Sequence, residues 1–497
     1  MTGARRFIFL NEPGQLDEIG WDGPQREELW RYHQHYFDDL NAIDAPARQA
    51  WHAALIDDWI IHNPPGSGAG WEPYPLSLRV VNWIKWSLGG ATLSSAALHS
   101  LAVQVRWLTG RLEIHLLGNH LFVNAKALVF AGLFFQGKEA DAWLEKGLRR
   151  LAREVSEQIL PDGGHFERST LYHALALEDM LDLCNVARCF AARLNPDQVA
   201  QVSDWRHRAR AMYAWLQAMC HPDGEIGLFN DAAFDIAPST TELSAYAQRL
   251  LTALQPSPDQ ALLHLQQSGY VRLANKQAVA LLDVAPIGPD YLPGHAHADT
   301  LTFELSVGRQ RVLVNSGTSC YGVNAERLRQ RGTAAHNTVV INKQNSSEVW
   351  SGFRVARRAY PVDLHIRYEA DRALSEVGCA HTGYYWLPGK PAHRRTWRMD
   401  PDGFTVSDRV DGPHQDAEAR FHFHPDVQVR IEPNNKQGIA RLPSGAVVTW
   451  CINHGEGRLE PSAWHPGFGM ALSTWCLAVR LQQGIGAVRF DWAQAMT

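Results

Sequence analysis

The stretch Leu254-Gln255-Pro256-Ser257-Pro258-Asp259-Gln260 leads past Ser268 into Tyr270-Val271-Arg272-Leu273, and the period of the hydrophobic pattern changes across it. Upstream, from about Gln25 to Leu254, apolar residues recur at three- and four-residue spacing in segments broken by Gly, Pro and Asn, the pattern of helices with one buried face. The clearest predicted helices are 47–60, 76–88, 96–109, 116–135, 140–159, 171–194 and 202–219. Downstream the period is two, predicting strands at 270–273, 279–282, 302–307, 312–314, 338–341, 404–410 and 447–452, with turn signals such as Asp402-Gly403 and Pro443-Ser444-Gly445 between them. Short loops between many helices suggest hairpins curving into an incomplete helical barrel, an α/α toroid, and the second half reads as an antiparallel β-sandwich. The Pro-rich stretch is the natural boundary, giving a toroid over 1–257 and a sandwich over 258–497.

Composition narrows the function classes. At about 150 residues per domain, 497 residues allow two to four domains. A hydrophobic fraction of 45% and a charged fraction of 20% exclude disorder. With 47 basic and 52 acidic residues there is no basic field for nucleic acid. The seven cysteines form no CxxC pair and read as buried thiols. No apolar run approaches the roughly 18 residues of a membrane span, and the N-terminal run Phe7–Leu10 is shorter than a signal-peptide core, so no export signal is expected in the chain. Eleven of the 18 tryptophans precede the boundary; most belong in the core, and the rest suit the stacking of sugar rings. Phosphate-loop, dinucleotide, nucleophile-elbow and HExxH motifs are all missing, which removes support for nucleotide, hydride and serine-hydrolase chemistry.

Three segments could carry chemistry. Gly118-Asn119-His120-Leu121-Phe122-Val123-Asn124 opens a strongly apolar helix, with His120 and Asn124 one turn apart on a face away from the packing stripe. Its plain reading is a capped helix with satisfied polar core residues. Asp162-Gly163-Gly164-His165-Phe166-Glu167-Arg168-Ser169-Thr170-Leu171-Tyr172-His173 is a turn followed by a helix that Ser169 or Thr170 can cap, placing Tyr172 in the first turn. A structural tyrosine is the default there, but the density of His165, Glu167, Arg168, Tyr172 and His173 argues against it. In Gly294-His295-Ala296-His297-Ala298-Asp299, an extended backbone would project His295, His297 and Asp299 to one side. Imidazole and carboxylate suit Zn²⁺, with Asn315 or His336 as further ligands.

Taken together these segments, with Leu29-Trp30-Arg31-Tyr32, Trp71-Glu72-Pro73-Tyr74-Pro75-Leu76-Ser77-Leu78-Arg79 and Arg331-Gly332-Thr333-Ala334-Ala335-His336-Asn337-Thr338, resemble the heparinase II/III family of polysaccharide lyases along nearly the whole chain. The resemblance implies an α/α toroid joined to an antiparallel β-sandwich, an active site between them, and β-elimination at a uronic acid without an organic cofactor, leaving a 4,5-unsaturated uronate end. The C5 proton is weakly acidic because its loss puts a second negative charge beside the carboxylate, so a donor must neutralise that group in the transition state. By resemblance Asn119 is that neutraliser, His120 the base or a second neutralising group, Tyr172 the catalytic tyrosine and His295 the sandwich histidine of the same cleft. Arg79, Arg168, His173 and Asn124 are candidates for holding the sugar, and Trp71 and Tyr74 for stacking on it. Metal-bearing relatives imply a structural Zn²⁺ at His297, Asn315 and His336, with Asn315 where they carry Asp. A neutral amide is a poorer ligand than a carboxylate, so Asp299 could compensate, or the side chains could form a metal-free hydrogen-bonded network. Relatives are commonly periplasmic or secreted.

Two other readings stay open at this point. A glycoside hydrolase on the same toroid needs two opposed carboxylates about 5–10 Å apart, and Asp162 and Glu167, the two carboxylates of the Asp162–His173 segment, lie on one loop. A non-catalytic protein that binds or assembles exopolysaccharide would keep the cleft without turnover.

Overall fold

The structure, a computed structural model, describes residues 1–254 and 259–492. They form two compact units: Met1–Gln158 with Glu178–Ala209, and Ile159–Leu177 with the chain from Arg210 onward. The boundary expected between 257 and 258 lies outside the described residues.

The first unit opens with a small hairpin, Arg6–Phe9 against Glu12–Gln15, which the helical pattern did not announce. The helices Glu28–Tyr36, Gln49–His62, Pro73–Leu88, Ser95–Thr109, Gly118–Phe134 and Lys138–Gln158 follow. Proline in the first turn starts Pro73–Leu88, where no intrahelical N–H is lost. The Ser94 hydroxyl starts Ser95–Thr109 by accepting from the Ala97 N–H at 3.1 Å. Helix Gly118–Phe134 is buried along nearly all its length, whereas Lys138–Gln158 beside it keeps a polar outer face. The two close up because Gly132 and Gly147 lack side chains: a Cβ on Gly132 would lie 2.5 Å from the Leu144 backbone nitrogen. Trp30, Trp59 and Trp83 are sealed in this core, and Lys126 is held within it by Asp179 and Asp182, each at 2.7 Å.

The second unit holds the larger sheets, whose described ladders are all antiparallel. Leu262–Leu265, Tyr270–Ala274, Ala278–Asp283, Phe303–Val307 and Gln310–Leu313 form a five-stranded meander. A bridge from Leu313 to Phe423 connects it to a four-stranded sheet ordered Glu456–Trp464, Leu472–Arg480, Ala417–His422, Val339–Ile341. An eight-stranded sheet runs from Pro361–Glu369 at one edge to Gln428–Ile431 at the other. Rings from the two layers meet in one core: Phe303 lies 5.5 Å from Phe404, Phe421 5.6 Å from Phe490 and Phe423 5.3 Å from Trp450. The segment Gly294–Asp299 is built of turns rather than extended chain, and the strand begins only at Phe303, so alternation along a strand is not what groups its histidines.

Candidate functional site

In the second unit, Tyr172 stands in the first turn of helix Thr170–Cys189. The Ser169 hydroxyl accepts from the Tyr172 N–H at 3.2 Å and donates to the Asp231 carbonyl at 2.5 Å, so one side chain caps the helix and ties it to the Asp231 loop. The Tyr172 ring packs on the His295 ring at a centroid distance of 3.8 Å, and its hydroxyl lies 2.9 Å from that of Tyr321.

Asp231 organises the imidazoles. One carboxylate oxygen lies 2.9 Å from His295 Nδ1 and the other 2.8 Å from His297 Nε2, and Arg327 grips both oxygens in a bidentate pair. Burial alone would raise the Asp231 carboxyl, but Arg327 and the two imidazoles hold it well below the usual carboxylate range. An ionised carboxylate only accepts, so His295 carries its proton on Nδ1, and its Nε2 lies 3.6 Å from Glu167 Oε2. The Arg327 charge acts on the phenols of Tyr321 and Tyr172 as well. Left-handed backbone precedes two of these groups: Asn230, φ 57°, before Asp231, and Arg168, φ 58°, before Ser169. Such positions cost about 1–3 kcal/mol and persist only where the surroundings impose them. Asn230 does so by donating to the Arg168 carbonyl at 3.1 Å and accepting from the His297 N–H at 3.0 Å.

The second histidine of the pair belongs to a buried cluster in the sandwich. Desolvation pushes His297 down to about 4 and His336 well below its usual value, so both rings are neutral. Their centroids lie 5.2 Å apart, and His297 Nδ1 and His336 Nε2 are buried without a partner among the described residues. Two imidazole lone pairs suit zinc, but the third position does not. The Asn315 amide oxygen is already engaged by His336 Nδ1 at 2.7 Å and the Thr302 hydroxyl at 3.2 Å. Asp299, pushed up to about 7 by burial and by Asp231, does not complete the set: among the described residues no three His, Cys, Asp or Glu side chains are grouped to hold a metal. Two imidazoles and an occupied amide do not fit four-coordinate Zn²⁺.

In the first unit, Leu117 at φ 59° leads into Gly118–Phe134, and Asn119 and His120 are half-buried at its start. His120 Nδ1 lies 3.0 Å from Glu113 Oε1, leaving Nε2 as the outer nitrogen. The half-buried Tyr74 ring packs against His120 at a centroid distance of 4.4 Å and against Tyr36 at 6.0 Å.

Several candidates turn out to be structural. Asn124 is fully buried, exchanging hydrogen bonds with Glu113: its Oδ1 accepts from the Glu113 N–H and its Nδ2 donates to Oε2, each at 2.9 Å. It therefore builds the support beneath His120 rather than facing a sugar. Arg79 is sealed in the core, donating to Gln104 and to the His35 and Gly70 carbonyls with its guanidinium 3.9 Å from the Trp59 ring, so no face is left for a sugar acid. Trp71 is buried against Trp59 and Trp107 and cannot stack on a ligand. His173 is buried with Nε2 bonded to the Met212 carbonyl. Arg168 remains half-buried, donating to the Ser268 carbonyl. Asp162 is spent on the turn, accepting from the Gly164, Gln267 and Ser268 N–H groups and the Ser268 hydroxyl.

Sequence reasoning missed Asp231, Arg327, Tyr321 and Glu113. Only Asn230-Asp231 carried a local hint, a pair whose first residue tolerates left-handed backbone.

A helical first half followed by an antiparallel β-sandwich, with Tyr172, His295, Asp231 and Arg327 grouped in the second unit, places the chain in the class of folds that join a helical toroid to a β-sandwich. The chain belongs to the heparinase II/III family: residues 22–252 match "Heparinase II/III N-terminus" and residues 257–491 match "Heparinase II/III-like, C-terminal". It is 26% identical over 252 residues to the heparin-sulfate lyase of Bacteroides stercoris, a match covering 47% of this chain and 37% of that protein, so it spans little more than a third of that relative. It is also 26% identical over 473 residues to FtsZ-localized protein C of Caulobacter vibrioides, covering 88% of this chain and 76% of that one. The crystal structure of heparan sulfate lyase HepC from Pedobacter heparinus has the same fold, with TM-score 0.65 and 18% identity over 99% of this chain and 82% of that one. No helix among the described residues is long and apolar enough to cross a membrane.

Proposed function

We propose that the protein is a polysaccharide lyase that cleaves a uronic-acid-containing polysaccharide by β-elimination, leaving a 4,5-unsaturated uronate end. The observation that carries this reading is the Tyr172 phenol packed on the His295 imidazole, whose Nδ1 is held by a buried, ionised Asp231. A phenol donates its proton to the departing C4 oxygen and, as phenoxide, takes the C5 proton when elimination is syn. The Tyr321 hydroxyl supplies a polar neighbour to the Tyr172 oxygen as its charge changes, and Arg327 adds positive charge nearby. Asn119 is assigned to neutralise the substrate carboxylate. His120, oriented by Glu113, is assigned as base or second neutralising group. Acidic polysaccharide is the proposed partner, no organic cofactor is needed for elimination, and the His297–Asn315–His336 cluster is assigned a metal-free structural role. On family resemblance alone, the proposed place of action is the periplasm or the exterior.

The test is absorbance of the unsaturated uronate with heparan sulfate, hyaluronan and alginate as substrates. Tyr172→Phe is expected to lower elimination at least about 10²-fold, the lower bound for losing a positioned proton donor, with an unchanged unfolding midpoint. Near-wild-type turnover would remove Tyr172 from the chemistry. A hydrolase is disfavoured because Asp162 is consumed by four hydrogen bonds. A non-catalytic exopolysaccharide-binding or assembly role is the second reading. It is favoured by the likeness over 88% of the chain to a protein described by its localisation rather than by cleavage. Binding of these polymers without any new unsaturated end would select it.

A further inference from the structure

We propose that the short hairpin of Val349–Trp350 and Arg354–Val355 is a sugar-binding wall of the Tyr172–His295 site, with the ring of Phe353 stacking on a pyranose of the acidic polysaccharide next to the bond that breaks. The inference rests on the lyase reading for the identity of that bond, and on the hairpin itself for the binding. Two large aromatic rings stand in water within four residues, Trp350 at 53% and Phe353 at 40% exposure. Isolated exposed apolar residues are ordinary, but Phe353 is contiguous with the reacting groups: its ring centroid is 5.0 Å from Tyr321 and 6.0 Å from His295.

The hairpin is also held rigid. Arg327 Nε and Arg331 Nη1 both donate to the Gly352 carbonyl, at 3.1 and 3.0 Å, and Arg331 reaches the Ser351 and Arg354 carbonyls at 3.3 Å. Both arginines are fully buried. A Cβ on Gly352 would lie 2.8 Å from the Gly322 carbonyl, so only glycine lets the tip close on the loop that carries Tyr321. Arg327 uses its other edge on Asp231, so one planar guanidinium fixes the spacing between the histidine's carboxylate and the hairpin tip. A stiff aromatic wall loses little conformational freedom on binding. The C–H face of a pyranose is its apolar side and matches a phenyl ring, while exposed Arg354 places a cation at the rim, where carboxylate or sulfate groups project.

The test compares wild type, Phe353→Ala and Phe353→Tyr on heparan sulfate, hyaluronan and alginate, following unsaturated ends and, separately, binding of each polymer by calorimetry. Phe353→Ala is expected to raise KM and Kd about tenfold with kcat within about twofold, the pattern of lost uniform binding, while Phe353→Tyr stays near wild type and both keep the wild-type unfolding midpoint. Cleavage by wild type with an unchanged KM in Phe353→Ala overturns the wall and leaves the lyase reading standing. Binding by wild type without cleavage, weakened tenfold in Phe353→Ala, supports the wall and overturns the lyase reading. If wild type neither binds nor cleaves any of the three polymers, both fall.

Discussion

Each compact unit contains an imidazole held through Nδ1 by a carboxylate, and the two pairs are backed in different ways. Glu113, holding His120, is supported by the neutral amide of Asn124. Asp231, holding His295, is supported by the full charge of Arg327 and by a second imidazole. Exposure follows the same division: the His120 and Glu113 side chains are 34% and 8% exposed, those of His295 and Asp231 16% and 0%. A carboxylate that keeps some solvation can be oriented by dipoles alone, whereas one sealed from water needs a countercharge. Similar local geometry therefore carries very different energetic stakes in the two pairs.

The largest expected effect therefore lies at Arg327. Arg327→Met strands a buried carboxylate and is expected to cost about 3–5 kcal/mol in urea unfolding, against about 1–3 kcal/mol for Asn124→Ala. Equal losses would erase the distinction between the pairs. Activity should separate them next. Asp231→Asn is expected to lower kcat about a hundredfold by disturbing the His295 tautomer, and Glu113→Gln about tenfold, because an amide can still orient His120. The reverse order in steady-state elimination assays would move the more demanding chemistry to the Glu113 side.

Acid should weaken the Asp231 side through its second histidine. His297 is depressed to about 4 in the folded protein, whereas an unfolded histidine protonates near 6.5. The unfolded state then binds more protons between these values, so this contribution is complete above about pH 6.5 and is lost as pH falls toward 4. The stability gap between wild type and His297→Gln should narrow across that window, and a constant gap would contradict it. The smallest effect concerns metal. Wild type purified without added zinc should hold well under one ion per chain by elemental analysis, and Asn315→Asp should raise that occupancy by restoring an anionic ligand. Stoichiometric zinc in wild type would show that an amide suffices.

Much of the fold is legible from hydrophobic period: helix 95–109 and the strands at 270–274 and 403–411 lie within a residue or two of their predicted bounds. The Gly294–Asp299 segment shows where periodicity stops. Its histidines do converge, but on the two oxygens of Asp231, more than sixty residues away, and through turns rather than strand alternation. Arg79 and Trp71 show the opposite limit. Their residue types suit sugar recognition, yet both are core, because a motif records which side chains are present and says nothing of which way they face.

A helical half followed by an antiparallel sandwich, and the candidacy of Tyr172 and His295, are written along the chain, since periodicity and local motifs are properties of neighbouring residues. Folding alone brings Asp231 and Arg327 to that histidine, Glu113 and Asn124 to His120, and His336 and Thr302 to the Asn315 amide. Those facts depend on burial and on partners distant along the chain, and a one-dimensional pattern encodes neither.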